Sequence, residues 1–148
     1  MKSQHIDTDI AAAPRRELKL RSCRAELVTL AEEFSALSAR EKAVAVFLPA
    51  CRLKLEALAH ATAFDAPADN ILALLTHERR IALAVESENA NRRERAGLET
   101  RLRVAFANTT ELLEPPQKNR SPKNRFSNPG GSPEGKIPDA IAAIDAAL

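Results

Sequence analysis

Apolar residues recur at alternating steps of three and four along the first half of the chain. The series is Leu20, Cys23, Leu27, Leu30, Phe34 and Leu37, then, after a polar residue at Glu41, Val44, Leu48, Cys51, Leu55 and Leu58. This spacing keeps side chains on one face of an α-helix, and a strict seven-residue repeat narrows that face to a coiled-coil seam. The pattern predicts a long helix whose seam is covered by another helix.

A second helical pattern follows and ends before Pro115-Pro116, because the residue before a proline disfavours helix. Its apolar residues lie near both ends, and residues 86–95 between them offer only Ala90 to a core. Alanine and leucine, the strongest helix formers, supply much of the hydrophobic content. We therefore predict an all-α fold, a long antiparallel helical hairpin over residues 15–114 after a flexible leader over residues 1–14.

Two features interrupt the first helical pattern. Residues 38–41 have the spacing of a capping box, which can start a new helix, and Pro49 lacks the amide hydrogen that a helix interior uses. The seam keeps its phase through both points. We expect one continuous helix, kinked at Pro49, in preference to two separate helices.

Folding about residue 64 places Glu41, the polar break of the seam, near Ser87 in the polar part of the second helix. We expect residues 40–42 to form ion pairs with charged residues of the 86–93 stretch, or to remain solvated charges worth well under about 1 kcal/mol each. In this arrangement Asn89 or Asn91 faces the seam and fixes its register, as buried polar residues do in coiled coils.

The composition changes after the hairpin. Six of the nine prolines and three of the four glycines fall within residues 115–138, so a disordered basic linker is predicted there. Ile137, Ile141, Ile144 and Leu148 then form an apolar stripe, which predicts a short amphipathic helix over residues 139–148. Such a helix is too short to be stable alone, so it folds only when docked on its own hairpin or on another protein.

Composition excludes several classes of protein. No run approaches the roughly 18 apolar residues of a membrane span, and the first residues lack the apolar core of a signal peptide, so we expect a cytoplasmic protein. Both cysteines occupy seam positions, which predicts buried free thiols; a disulfide between chains is the alternative.

The sequence shows no catalytic constellation and no phosphate-binding loop. His77 falls near Cys51 in the predicted hairpin, but two ligands do not make a zinc site and the spacing matches no zinc motif. We expect no enzyme activity, no cofactor and no metal.

Basic residues gather at the open end of the predicted hairpin and in the tail, and they form a candidate anion-binding set. Its members are Arg15, Arg16, Lys19, Arg21, Arg24, Arg101, Arg103, Lys118, Arg120, Lys123 and Arg125. Such a surface suits phosphates, so a small nucleic-acid-associated regulator is the alternative function. The alternative is that these basic residues bind nothing and that Glu111 and Glu114 neutralise part of their charge. The net charge of the chain is only +2.

Apolar residues outside the seam crowd the region around the turn, and a helix that is apolar on more than one face must be covered on more than one face. The cover is a second copy, the C-terminal helix or a partner protein. Phe47, Leu53, Leu72 and Leu75 are therefore predicted to bind a partner, and the predicted function is a protein-binding helical adaptor.

The stretch Glu88-Asn89-Ala90-Asn91-Arg92-Arg93, followed by Leu98, Leu102 and Leu112, resembles the second helix of the FlgN-type flagellar export chaperones. The resemblance extends over about residues 18–113. It implies a small cytoplasmic bacterial protein that holds hook–filament junction subunits before their secretion. It also implies a substrate-binding surface around Leu98, Leu102, Phe106 and Leu112.

Overall fold

The computed structural model describes residues 6–64, 68–114 and 125–148. Helix α1 is Ile6–Phe64 and helix α2 is Ala68–Leu113; a 3-10 helix, Pro133–Lys136, leads directly into helix α3, Ile137–Ala147. The two long helices pack together, and no strand occurs in the described ranges. The predicted all-α hairpin with a short C-terminal helix is confirmed.

Helix α1 passes without a break through Ser38 and Pro49, so the prediction of one continuous helix is confirmed. It also begins at Ile6, whereas the sequence predicted a start at Arg15. Alanines precede Pro14 and favour helix there, although the proline ring cannot donate a hydrogen bond. The predicted flexible leader is therefore wrong for residues 6–14, and residues 1–5 lie outside the described part of the chain.

The chain divides into two compact units. The terminal unit comprises Met1–Phe34 and Gly97–Leu148, and the turn unit comprises Ser35–Ala96. Within each unit a segment of α1 lies antiparallel to a segment of α2. In the terminal unit, for example, Arg16 contacts Leu112 while Glu33 contacts Arg101.

The core of the terminal unit is built from all three helices. Its fully or nearly fully buried side chains are Leu20, Leu27, Leu30 and Phe34 of α1, Leu98, Leu102, Ala105 and Phe106 of α2, and Ile137, Ala140 and Ile144 of α3. Arg24 on α1 donates from its Nε to Oδ1 of Asp145 on α3 at 2.7 Å. The C-terminal helix is therefore docked on its own hairpin.

The segment before α3 is ordered in the residues that the structure describes. Phe126 is buried, with its ring centroid 5.4 Å from that of Phe106, and the amide of Arg125 donates to Oγ1 of Thr110 at 3.4 Å. The predicted disorder is therefore wrong for residues 125–138: Phe126 anchors the segment on the helical core, and α3 already begins at Ile137. Residues 115–124 lie outside the described ranges.

The core of the turn unit contains fewer large apolar residues. Leu37, Leu48 and Cys51 of α1 are buried, as are Ala84 and Asn91 of α2. Ala90, the one residue that the polar stretch 86–95 offers to a core, is exposed.

Helix α2 has a complete seam of its own, with the same alternation of steps as α1. Eight positions with this alternation are each buried or half-buried: Leu74, His77, Ile81, Ala84, Glu88, Asn91, Arg95 and Leu98. Polar side chains therefore occupy seam positions without interrupting the helix–helix contact.

We expect Phe126→Ala to destabilise the terminal unit by about 3 kcal/mol, the typical cost of removing a buried phenylalanine. Urea denaturation followed by circular dichroism would measure the loss. Phe47→Ala is the matched control, because Phe47 is 45% exposed, and it should cost less than about 1 kcal/mol. Equal losses for the two variants would contradict the anchoring role of Phe126.

Candidate protein-binding surface

A groove of about 460 Å³ lies between α1 and α2 in the turn unit. The residues that line it are Ala43, Val44, Phe47, Arg80, Leu83, Ala84 and Ser87. Phe47 and Leu83 stand on opposite walls and are 45% and 53% exposed. The lining is apolar apart from Ser87 and the charge of Arg80.

Other apolar side chains of the turn unit are also exposed to solvent. Val46 and Leu53 on α1 and Ile71, Leu72 and Leu75 on α2 each expose half or more of their surface. Single exposed apolar residues are ordinary, but this many in one small unit is typical of a contact surface. Of the predicted partner-binding residues, Phe47, Leu53, Leu72 and Leu75 are accordingly exposed; that they bind a partner stays a prediction.

The other predicted partner-binding residues lie elsewhere. Leu98, Leu102 and Phe106 are buried in the core of the terminal unit, and Leu112 is half-buried. The expectation of a substrate-binding surface is therefore wrong for Leu98, Leu102 and Phe106. Their apolar spacing is accounted for by contact with α1 within the same chain.

A second groove of the turn unit, of about 300 Å³, has a different chemical character. It is lined by Glu41, Val44, Ala45, Leu48, Pro49, Glu88, Asn91 and Arg92. Glu88 pairs with Arg92 at 2.6 Å, and Glu41 pairs with Arg95. The charged side chains of this groove are thus largely neutralised within the unit.

The polar break of the α1 seam is filled by an ion pair. Arg95 donates from Nε and Nη2 to the two carboxylate oxygens of Glu41 at 2.9 and 2.7 Å, and Arg40 pairs with Glu94 at 2.7 Å. Ion pairs between the polar parts of the helices were predicted, but the partners are different. Since α1 ends at Phe64 and α2 begins at Ala68, the hairpin is centred near residue 66, which shifts the register by about one helical turn.

Asn91 is buried at a seam position of α2, whereas Asn89 is exposed. This agrees with the interpretation that one of the two asparagines faces the seam. Arg95, Asn91 and Glu88 precede Leu98 at alternating steps of three and four. The sequence therefore contains enough information to place these polar residues in the seam. This information is missed when only apolar residues are counted.

The bidentate hydrogen bond from Arg95 lowers the pKa of Glu41 below its ordinary value of 4.5, against a smaller opposing effect of burial. The hydrogen bond from Arg40 likewise lowers the pKa of Glu94. A carboxylate with a depressed pKa stabilises the folded state above its unfolded pKa. That contribution is lost as the pH falls below about 4.5 and through the depressed value.

Three arginines of the candidate anion-binding set form ion pairs within the terminal unit. Arg101 pairs with Glu26 at 2.9 Å and with Glu33 at 2.5 Å, Arg21 pairs with Glu17, and Arg24 with Asp145. Less positive charge is therefore open to phosphates than the sequence suggested.

The remaining members of the set differ in their surroundings. Arg16 donates from Nε to the carbonyl of Leu112 in the last turn of α2, where a cation is favourable, and the guanidinium of Arg125 lies 5.9 Å from the Phe126 ring. Arg15, Lys19 and Arg103 are exposed. Lys118, Arg120 and Lys123 lie outside the described residues.

His77 occupies a seam position of α2, and its Nδ1 atom is buried without a hydrogen-bond partner. No group of three or more His, Cys, Asp or Glu residues in the described ranges is arranged to hold a metal ion. Cys51 is a buried free thiol and Cys23 a half-buried one. None of the described helices is long and apolar enough to cross a membrane.

Comparison with known proteins finds no match: no protein-family model, no curated protein and no solved structure matches this chain.

We expect Glu41→Gln to lower stability by about 1 kcal/mol at pH 7, because a neutral amide pairs less strongly with Arg95. Between roughly pH 5 and 3, the range where carboxylates titrate, the variant should lose less stability than the parent protein. Thermal unfolding at a series of pH values measures both effects. Glu86→Gln makes the same change at an exposed position of α2 and is the matched control for stability at pH 7.

We expect His77→Leu to raise the unfolding free energy by about 1 kcal/mol, because it removes a buried nitrogen that has no partner. Urea denaturation at pH 8 would measure the gain. His77→Asn keeps a polar group at the same seam position and should give no gain. Stabilisation by both variants would contradict the assignment of the effect to Nδ1.

Proposed function

We propose that this protein is a non-enzymatic helical adaptor that accepts an amphipathic helix of a partner protein in the groove between Phe47 and Leu83. The observation that supports it is the exposure of both side chains on the two walls of one groove. Helix-in-groove complexes bury the apolar stripe of an amphipathic helix against side chains of this kind.

The charge around the groove favours an acidic partner. Arg80 lines the groove and is exposed, and Lys54 follows Phe47 on the same side of α1 after two helical turns and is also exposed. On that side of α2, Glu94 lies two helical turns beyond Ser87 and is paired with Arg40, and Glu86 lies at the edge, three residues after Leu83. Acidic residues beside the apolar stripe of the partner helix would therefore complement the rim.

An export chaperone of the bacterial cytoplasm is the specific form of this proposal, because the resemblance to the FlgN-type family implies a protein that holds a partner before secretion. The burial of Leu98, Leu102 and Phe106 argues against the partner surface that the resemblance implies. We therefore assign the partner to the groove of the turn unit.

A synthetic helical peptide of about 20 residues provides the test, with leucines at positions i, i+3, i+4 and i+7 and glutamates beside them. We expect it to bind at least about tenfold more tightly than the same peptide with lysines in place of the glutamates. Fluorescence anisotropy of a labelled peptide measures both affinities.

Leu83→Glu should weaken binding of the acidic peptide by at least about tenfold, because it places a like charge on the apolar wall. Val104→Glu introduces the same charge at an exposed valine of the terminal unit and should leave binding unchanged. Equal affinity for both peptides, or no effect of Leu83→Glu, would count against the groove as the partner site.

A further inference from the structure

The side of α1 that faces away from the seam carries a second heptad series within the turn unit. We call it the outer face, and its residues are Ala36, Ala39, Ala43, Val46, Ala50, Leu53, Ala57 and His60. These positions again alternate steps of three and four, so they share one side of the helix. All eight are exposed, Val46 to 75% and Leu53 to 67%.

A helix face with a strict heptad repeat packs against another helix. The sizes of the side chains on the outer face indicate that this helix is α1 of a second copy. Suppose that the outer faces of two copies lie antiparallel, with residue 48 of one copy opposite residue 48 of the other. Ala43 then meets Leu53 of the other copy, and Ala50 meets Val46. Small residues then face large ones at these layers, which lets the two helices interdigitate. The pattern is self-complementary, as a twofold interface requires.

The charges along one edge of the outer face support the same arrangement; along the other edge Arg40, which is already paired with Glu94, meets Lys54 of the other copy. Lys42 and Glu56 lie along the first of these edges and are exposed. They are separated by about 21 Å of helix, too far to pair within one chain. Antiparallel pairing brings Lys42 of each copy beside Glu56 of the other, which forms two ion pairs across the interface. Parallel pairing would place Lys42 opposite Phe47 and form neither.

We propose that the chain forms an antiparallel homodimer through the outer face of α1. This goes beyond the proposed function, which uses the groove between α1 and α2. Ala43 belongs to both surfaces and Phe47 borders both, so Val46 and Leu83 are the residues that distinguish them. A second copy covers Val46 and Leu53, and a partner helix in the groove covers Leu83.

Sedimentation equilibrium of the full chain tests the proposal. We expect a mass twice the 16.1 kDa of one chain, and Val46→Glu should raise the dimer dissociation constant at least about tenfold. The matched control is Val104→Glu, which makes the same change at an exposed valine of the terminal unit and should leave the dimer intact, as should Leu83→Glu. A monomer at every concentration up to about 100 µM would overturn the proposal.

Exchanging charges at two exposed positions tests whether the two copies of α1 are antiparallel. Lys42→Glu should weaken the dimer severalfold, because it places a second carboxylate beside Glu56 of the other copy. Combining it with Glu56→Lys should restore the parental dissociation constant. Because the two side chains cannot reach each other within one chain, rescue requires the antiparallel contact. If the double variant loses as much dimerisation free energy as its two single variants lose together, this interface is overturned.

Discussion

The contact between the seams of α1 and α2 is the interaction on which the rest of the structure depends. It buries leucine and phenylalanine side chains that no other part of the chain could cover over such a length. Isolated helices are marginal in water, and most helical stability in proteins comes from packing of an apolar face. Helix α1 therefore continues through Pro49 because the burial of the neighbouring Leu48 and Cys51 compensates for the hydrogen bond that the proline cannot donate.

The same seam tolerates charge in the turn unit because the charges are matched across it. Glu41 on α1 meets Arg95 on α2, and both side chains are only about a third exposed or less. A partly buried ion pair adds little net stability but penalises every register that separates the two charges. We infer that this pair and Asn91 select one alignment of helices whose apolar residues alone would permit several.

The sequence alone was sufficient to predict the all-α hairpin, because the spacing of apolar residues in a helix is a local property of the sequence. It was insufficient for deciding which apolar residues are covered. Leu98 and Leu102 have the same chemistry as Leu72 and Leu75, yet the first two are buried and the last two exposed. Phe126 shows the same limit, since its burial depends on the distant Phe106 and not on the Pro/Gly-rich segment around it.

The residues of the candidate groove could be predicted only in part for the same reason. Phe47 and Leu83 both stand out in the sequence as apolar residues outside the seam, but only the structure shows that they line one groove.

The two units differ in how completely each covers its own apolar residues, and this difference bears on function. The terminal unit gains a third layer from α3 and Phe126, whereas the turn unit places Glu88, Asn91 and Arg95 at its seam and leaves Val46 and Leu53 in solvent. Regions with few buried apolar contacts open at lower free energy than the rest of a protein. Binding to the folded form stabilises it in proportion to ligand concentration and affinity. A second copy or a partner helix would therefore add most stability to the unit whose own core supplies least, and folding of the turn unit would become coupled to its association.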